Sequence, residues 1–231
     1  MAISRIGAGS AEATSVTIPA GHQAGDLMII WSSRIGSASP ASAPTGWTAL
    51  SSNGNNGSDA NQYWVKIAAS SSETSGTFTS ATALICHVYR GVGTTRPLNA
   101  PIAGIGAANN AGLGASTNIF YVNSSQILNS PSFSWIVAFG GVNGTTSTIE
   151  NAPTGLTAVT DLVGASGEYA SFDSNGIYLS NGVWPSTSVA LGVSLRSLST
   201  IIELIPDQIV PNNYQFLKVG NGMSVGGDKI R

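Results

Sequence analysis

Charge is what this chain has least of. Only 9% of its 231 residues are charged, against roughly 25% in an average soluble domain. The nine basic and eleven acidic residues leave a net charge of -2, and phosphate recognition needs clustered Lys and Arg, so nucleic acid is excluded as a partner. Long apolar runs are missing as well. None is longer than Leu27 to Trp31, far short of the roughly 20 residues of a spanning helix, and the first fifteen residues carry no apolar block of a signal peptide. The expectation is a chain with no membrane partner that is not exported through a leader. Cysteine occurs once, as Cys86, so no intrachain disulfide can form, and within Leu84-Ile85-Cys86-His87-Val88 the thiol reads as a small core residue. His22, His87 and Cys86 lack any ligand spacing, which leaves no metal site and no cofactor to expect.

The place of the missing charge is taken by Gly, Ser, Thr and Asn, while hydrophobic residues stay at 42%. Glycine and proline together make about 16% of the chain, below the roughly 25 to 30% of low-complexity disorder, so a folded chain is expected. Its length suits one large domain or two small ones that need no metal or disulfide staple.

Helical apolar spacing is almost absent, whereas short segments rich in Val, Ile, Thr, Tyr and Trp recur. Strands are predicted at 16–18, 26–33, 47–51, 62–68, 76–79, 83–90, 118–122, 134–140, 156–161, 169–173, 188–195 and 200–205. Asn-Gly pairs at 53, 56, 143, 175 and 181 supply the positive φ of tight hairpins. The class is therefore all-β and antiparallel. In Tyr63-Trp64-Val65-Lys66-Ile67-Ala68, Tyr63, Val65 and Ile67 share one face and Lys66 takes the other, as in a half-buried strand. Leu27 to Trp31 and Trp135 to Phe139 are apolar on both sides, which fits central strands covered on both faces or on one face by a neighbouring subunit.

A half-length echo organises the chain. Ala43-Pro44-Thr45-Gly46-Trp47-Thr48-Ala49-Leu50 returns 109 residues later as Ala152-Pro153-Thr154-Gly155-Leu156-Thr157-Ala158-Val159. The same offset lays Leu27 to Ile30 on Ile136 to Phe139, and an offset of 106 lays Tyr63 on Tyr169 and Arg90 on Arg196. Two pseudo-repeated halves, roughly 16–100 and 118–206, would make one antiparallel β-sandwich or jelly roll over 1–206, since neither half buries its apolar face alone. Gly104-Ile105-Gly106 and Gly112-Leu113-Gly114 complete no nucleotide-binding motif and read as a long loop between the halves. After Pro206 the pattern changes, and 207–231 reads as an extended C-terminal arm that orders on a partner. Tyr214, Phe216 and Leu217 are its candidate docking residues.

Ile18-Pro19-Ala20-Gly21, Gly25-Asp26-Leu27-Met28-Ile29, Pro44-Thr45-Gly46-Trp47-Thr48, Tyr63 to Ala68 and Val88-Tyr89-Arg90-Gly91-Val92, with Arg96-Pro97-Leu98 after them, resemble a β-sandwich module of tailed-bacteriophage virion proteins. Ser134 to Phe139, Pro153-Thr154-Gly155-Leu156 and Ser188 to Pro206 resemble its continuation, so the resemblance covers 16–206. Its motifs are structural rather than catalytic. It implies a non-enzymatic structural component of a virion, a capsid decoration, head-fibre or tail-fibre protein assembled in the bacterial cytoplasm. The implied partners are copies of itself in a homo-oligomer, a trimer being one cyclic arrangement, and other virion proteins. The resemblance brings no binding residues. The arm at 207–231 departs from the simple module and would serve as an anchor to a capsid or baseplate.

Catalytic patterns are thin. Gly222-Met223-Ser224-Val225-Gly226 fits G-x-S-x-G, but neither histidine follows it, as a nucleophile elbow requires. Glu12, Glu73, Glu150, Glu168 and Glu203 are scattered, so a glycosidase would need two of them to converge in space. His87, on a strand, reads as a hydrogen-bonded structural residue. The rival to the structural reading is a tail-fibre-type adhesin binding a host surface glycan through loops 52–60 or 140–150. Exposed aromatics beside amides would make that contact. Trp47 and Trp64 sit in strand motifs and are expected in the core, which leaves Trp184 as the candidate for a sugar.

Overall fold

A computed structural model describes residues 2–49, 54–55, 57–93, 106–109, 116–121, 135–144, 149, 151–176 and 187–206. The described residues are all-β, without a helix. The strands are β1 (Ser4–Ala11), β2 (Leu27–Arg34), β3 (Thr48–Ala49), β4 (Gly54–Asn55), β5 (Ala60–Ile67), β6 (Ala83–Arg90), β7 (Gly106–Asn109), β8 (Ser116–Tyr121), β9 (Trp135–Asn143), β10 (Thr157–Val163), β11 (Gly167–Asp173) and β12 (Thr187–Leu204). The arm residues Tyr214, Phe216 and Leu217, together with Trp184 and Ser224, lie outside the described residues.

Two antiparallel sheets pack as a sandwich. One runs β1-β6-β2-β5-β3, with β4 also on β5; the other runs β10-β11-β9-β12-β7, with β8 also on β12. Each sheet is thus drawn from one half of the chain. A jelly roll interleaves its strands across both sheets through Greek keys, and that connectivity is not the one observed. The order is the same in both sheets. A row across the first reads Thr48, Val65, Ile29, His87, and a row across the second reads Thr157, Asp173, Val137, Ile202.

Those rows correct the echo. The turn motif keeps its offset of 109, but Val65 to Asp173 and Ile29 to Val137 are separated by 108. Side chains alternate with a period of two, so a slip of one residue exchanges faces. Leu27 and Ile29 accordingly face the other sheet, whereas Ile136 and Ala138, on which the sequence offset laid Leu27 and Ile29, face outward. Arg90 and Arg196 are also not equivalent, because Arg90 lies opposite Ser4 at one pole and Arg196 opposite Asn143 at the other.

Three apolar layers result. Leu27, Ile29, Trp31, Tyr63 and Val65 meet Val137, Phe139, Tyr169 and Ile202 between the sheets, where Trp31 stacks on Phe139 at 6.3 Å and 4°. The outer face of the first sheet, Met28, Ile30, Leu84, Cys86 and Val88, is covered by loop residues Val16, Ile18, Ala41, Trp47 and Phe78. Ile119, Ile149, Leu156, Val189 and Leu191 cover the outer face of the second. Both central strands are therefore covered on both faces by the chain itself.

The departures from the predicted strands have local causes. The first strand, β1, lacks alternation because its glycines admit a neighbour: a Cβ on Gly9 would stand 2.9 Å from the Thr17 carbonyl oxygen. Residues 16–18 were expected as a strand and instead form that neighbour, an extended cover without a ladder, with Val16 and Ile18 buried. Residues 76–79 contribute only an isolated bridge, Ser42 to Thr79. The two segments predicted at 188–195 and 200–205 are one strand, β12, and β7 lies inside the stretch predicted as a loop.

Candidate functional site

On β11 the alternation Tyr169, Ser171, Asp173 faces the opposite sheet while Ala170 and Phe172 face outward. Two polar side chains are therefore carried into the sandwich, at the pole where Arg5 and Tyr89 also lie. Arg5 Nη1 donates to Asp173 Oδ2 at 2.6 Å, and the Tyr89 hydroxyl donates to the same oxygen at 3.0 Å. His87 stands two residues before Tyr89 on the same face of β6. Its Nδ1 is 2.8 Å from the Tyr89 oxygen, and its Nε2 is 2.7 Å from Ser171 Oγ. Thr160 Oγ1, half-buried on β10, is 2.6 Å from Ser171 Oγ. Six side chains from β1, β6, β10 and β11 make one continuous chain across the two sheets.

The proton order in this chain is fixed from one end. The Asp173 carboxylate, paired with Arg5, can only accept, so Tyr89 gives its hydrogen to it. The Tyr89 oxygen then accepts from His87, which places the imidazole hydrogen on Nδ1 and leaves the Nε2 lone pair for the Ser171 hydroxyl. Thr160 donates to Ser171 in turn. Burial, and then the Arg5 charge, lower the His87 imidazole to about 3, so it is neutral at ordinary pH. Burial, then the Asp173 charge, raise the Tyr89 phenol well above its usual range. The Ser171–His87 distance is that of a nucleophile and its base. A base so weakened takes up little of a proton near neutrality, and both groups are fully buried. What the arrangement does well is join two sheets.

A second polar junction lies at the opposite pole. Asp59 accepts from the Gly36 amide at 2.9 Å and from Asn143 Nδ2 at 3.1 Å, so the described parts of the two loops singled out for glycan contact meet here. Residues 141–143, expected in a loop, are the end of β9, and Gly54–Asn55 is the short strand β4. A cavity of about 10 Å³ beside them is lined by Ser33, Ile35, Asp59, Asn143, Arg196 and Leu198, room for about one water molecule. An open groove of about 530 Å³ runs between the end of β1 and the two covering segments, with Ser10, Thr17, Glu73, Thr74, Ser75 and Thr77 among its walls. Glu73 is lowered by its bond from Lys66 and by the Ala69 amide.

The other sequence candidates fall in the covers. Trp47 and Phe78 meet edge-on at 5.6 Å, and Trp47 Nε1 donates to the Ser75 carbonyl at 3.0 Å. Trp64 packs against the same cluster and donates to Ser32 Oγ at 3.1 Å. Cys86 is fully buried and its thiol is pushed up by desolvation. His22 joins two covering loops, donating from Nδ1 to the Pro19 carbonyl at 2.8 Å and accepting the Glu73 amide at Nε2. Sequence reasoning found His87 and missed Arg5, Tyr89, Thr160, Ser171 and Asp173. The available signal was Ser171 and Asp173 at alternate positions on a strand whose other face carries Phe172. Among the described residues no group of three or more His, Cys, Asp or Glu could hold a metal ion. Compared with protein-family models, curated proteins and solved structures, the chain matches none.

Proposed function

We propose that the chain is a non-enzymatic structural component of a bacteriophage virion, a capsid decoration or fibre protein that self-associates and docks on other virion proteins. One observation carries this reading: the polar groups nearest to a catalytic constellation, His87, Ser171 and Asp173, are fully buried and hydrogen-bonded across the sheets, where they serve cohesion. The motifs that resemble the virion module support it from their positions, since Pro44 to Trp47, Tyr63 to Ala68 and Val88 to Gly91 form the turns and strand cores of a sandwich. Assembly in the bacterial cytoplasm, a homo-oligomeric state and anchoring by the arm at 207–231 belong to the same proposal. The test is the number of copies per purified particle, by quantitative mass spectrometry, with the oligomeric state of the pure protein beside it. Copies in proportion to the major capsid protein support a decoration role, and a few copies per particle support a fibre. A protein that stays monomeric at high concentration and is absent from particles overturns the proposal.

A second reading, a tail-fibre-type adhesin for a host surface glycan, is favoured by the meeting of the two candidate loops at Asp59 and Asn143. Saturable binding to host cells that is lost on Trp184→Ala or Asn143→Ala supports it; binding indifferent to both substitutions removes it.

A further inference from the structure

The hydrogen-bond chain at the Asp173 pole contains a reversible arm. At neutral pH the hydrogens point from Thr160 to Ser171 and from Ser171 to the bare Nε2 of His87. A proton bound at Nε2 cannot share that space with the Ser171 hydrogen. Ser171 must then accept from Nε2–H and donate to Thr160, whose own hydrogen turns away from the chain. A relay reaches that state with every proton accounted for: Ser171 gives its hydrogen to Nε2, Thr160 gives its own to Ser171, and solvent replaces the one on Thr160, a half-buried residue on an edge strand. A fully buried imidazole is thereby connected to solvent.

We infer that Thr160, Ser171 and His87 form a proton inlet, and that the six-residue chain is an acid-sensitive latch holding β1 and β6 to β10 and β11. The groups around His87 decide the direction. Arg5 from β1 is positive; Tyr89 and Cys86 from β6 are neutral; Asp173 from β11 is the one negative charge among them and is already paired with Arg5. From β2 and β9 the neighbours are Ile29 and Phe139, whose ring lies 5.0 Å away. A second positive charge here is desolvated and lies near Arg5, so proton uptake opposes the closed sandwich. This inference is independent of the virion reading.

The full-length protein is the sample. Nitrogen-15 correlation spectra of the imidazole at pH 7 are expected to show the hydrogen on Nδ1 and a bare Nε2; the Nε2–H tautomer would overturn the assignment. Amide hydrogen exchange between pH 7 and 4 is expected to lose protection in β1, β6, β10 and β11 by up to about tenfold per pH unit below 6, the slope of one proton taken up on opening. Protection in β5 and the β7-paired part of β12 should hold longer, and uniform loss across both flanks sinks the latch. His87→Gln should remove the difference between flanks. Thr160→Val tests the inlet at a tolerant position: it removes the outer hydroxyl of the relay and should slow proton exchange at Nε2 several-fold, read from nitrogen-15 relaxation dispersion of the imidazole at pH 4. Thr160→Ser should behave as the parent, and identical behaviour of the two Thr160 variants overturns the inlet.

Discussion

In the first sheet the turn Pro44-Thr45-Gly46 delivers Trp47 to the outer cover; in the second, Pro153-Thr154-Gly155 delivers Leu156. The turns are alike. Trp47 N–H donates to the Pro44 carbonyl at 3.4 Å and Leu156 N–H to the Pro153 carbonyl at 2.9 Å, with Gly46 at φ +95 and Gly155 at φ +81, the type II geometry that asks for glycine at its third position. The covers differ. Trp47 is held by an indole hydrogen bond and the edge of Phe78, among loops, whereas Leu156 closes a purely aliphatic and aromatic patch with Ile136, Phe172 and Val189. The backbone plan is common to both sheets, and each sheet fills its own cover with different side chains. His87 shows the same rule between the sheets, since its row-mate in the second sheet is Ile202.

Trp47→Ala should break the comparison most. It removes a large buried ring and leaves the Ser75 carbonyl without its donor, at a cost of about 3–5 kcal/mol, more than Leu156→Ala, and parallel urea titrations measure both. The His87 and Ile202 contrast comes next. His87 has a folded-state pKa near 3 against an ordinary value near 6.5, so the unfolded chain binds the extra proton between those values. Its contribution is fully present above about pH 6.5 and falls as the pH drops towards 3, by an amount on the order of a few kcal/mol. Urea midpoints at pH 7 and pH 4.5 should converge in His87→Gln and remain apart in Ile202→Val.

The turns themselves give the next test. Gly46→Ala and Gly155→Ala should each cost about 1–2 kcal/mol, since both force a side chain into positive φ; unequal losses would separate the turns. The smallest effect is expected at Glu12, whose carboxylate receives the Ala165 and Ser166 amides, each at 2.7 Å. Those amides hold its carboxyl below the usual range. What it adds is present at neutral pH and lost as the pH falls through the carboxylate range. Glu12→Gln should lower the melting temperature by a few degrees at most at pH 7 and leave it unchanged near pH 3.

Much of the fold could be read from residue order alone where alternation was strong. The strands β2, β5, β6 and β11 announce themselves because Val, Ile, Tyr and Trp alternate or fill both faces. The strand β1 does not, because its glycines exist to admit Pro19 and Thr17 rather than to pack. The inner and outer faces of β9 could not be told apart, since every residue from Trp135 to Phe139 is apolar, and that uniformity is how an offset wrong by one residue looked right. Of the inter-sheet chain only His87 was visible in advance. Ser171, Thr160 and Asp173 acquire meaning through partners 84 or 11 residues away, and pairing across sheets leaves no local period.

Two irregularities in the edge strands bear on how copies of this chain can meet. In β1 the register slips between Arg5 and Gly7, leaving Ile6 as an extra residue, and in β10 it slips between Ala158 and Thr160, leaving Val159 extra. The neighbouring edges of both sheets are thus bent out of line on the same flank, and Arg5 points its charge inward there. Edges shaped in this way are poor templates for another strand. Along that flank the sandwich is a terminus rather than a link, which disfavours strand-to-strand stacking of one copy on the next.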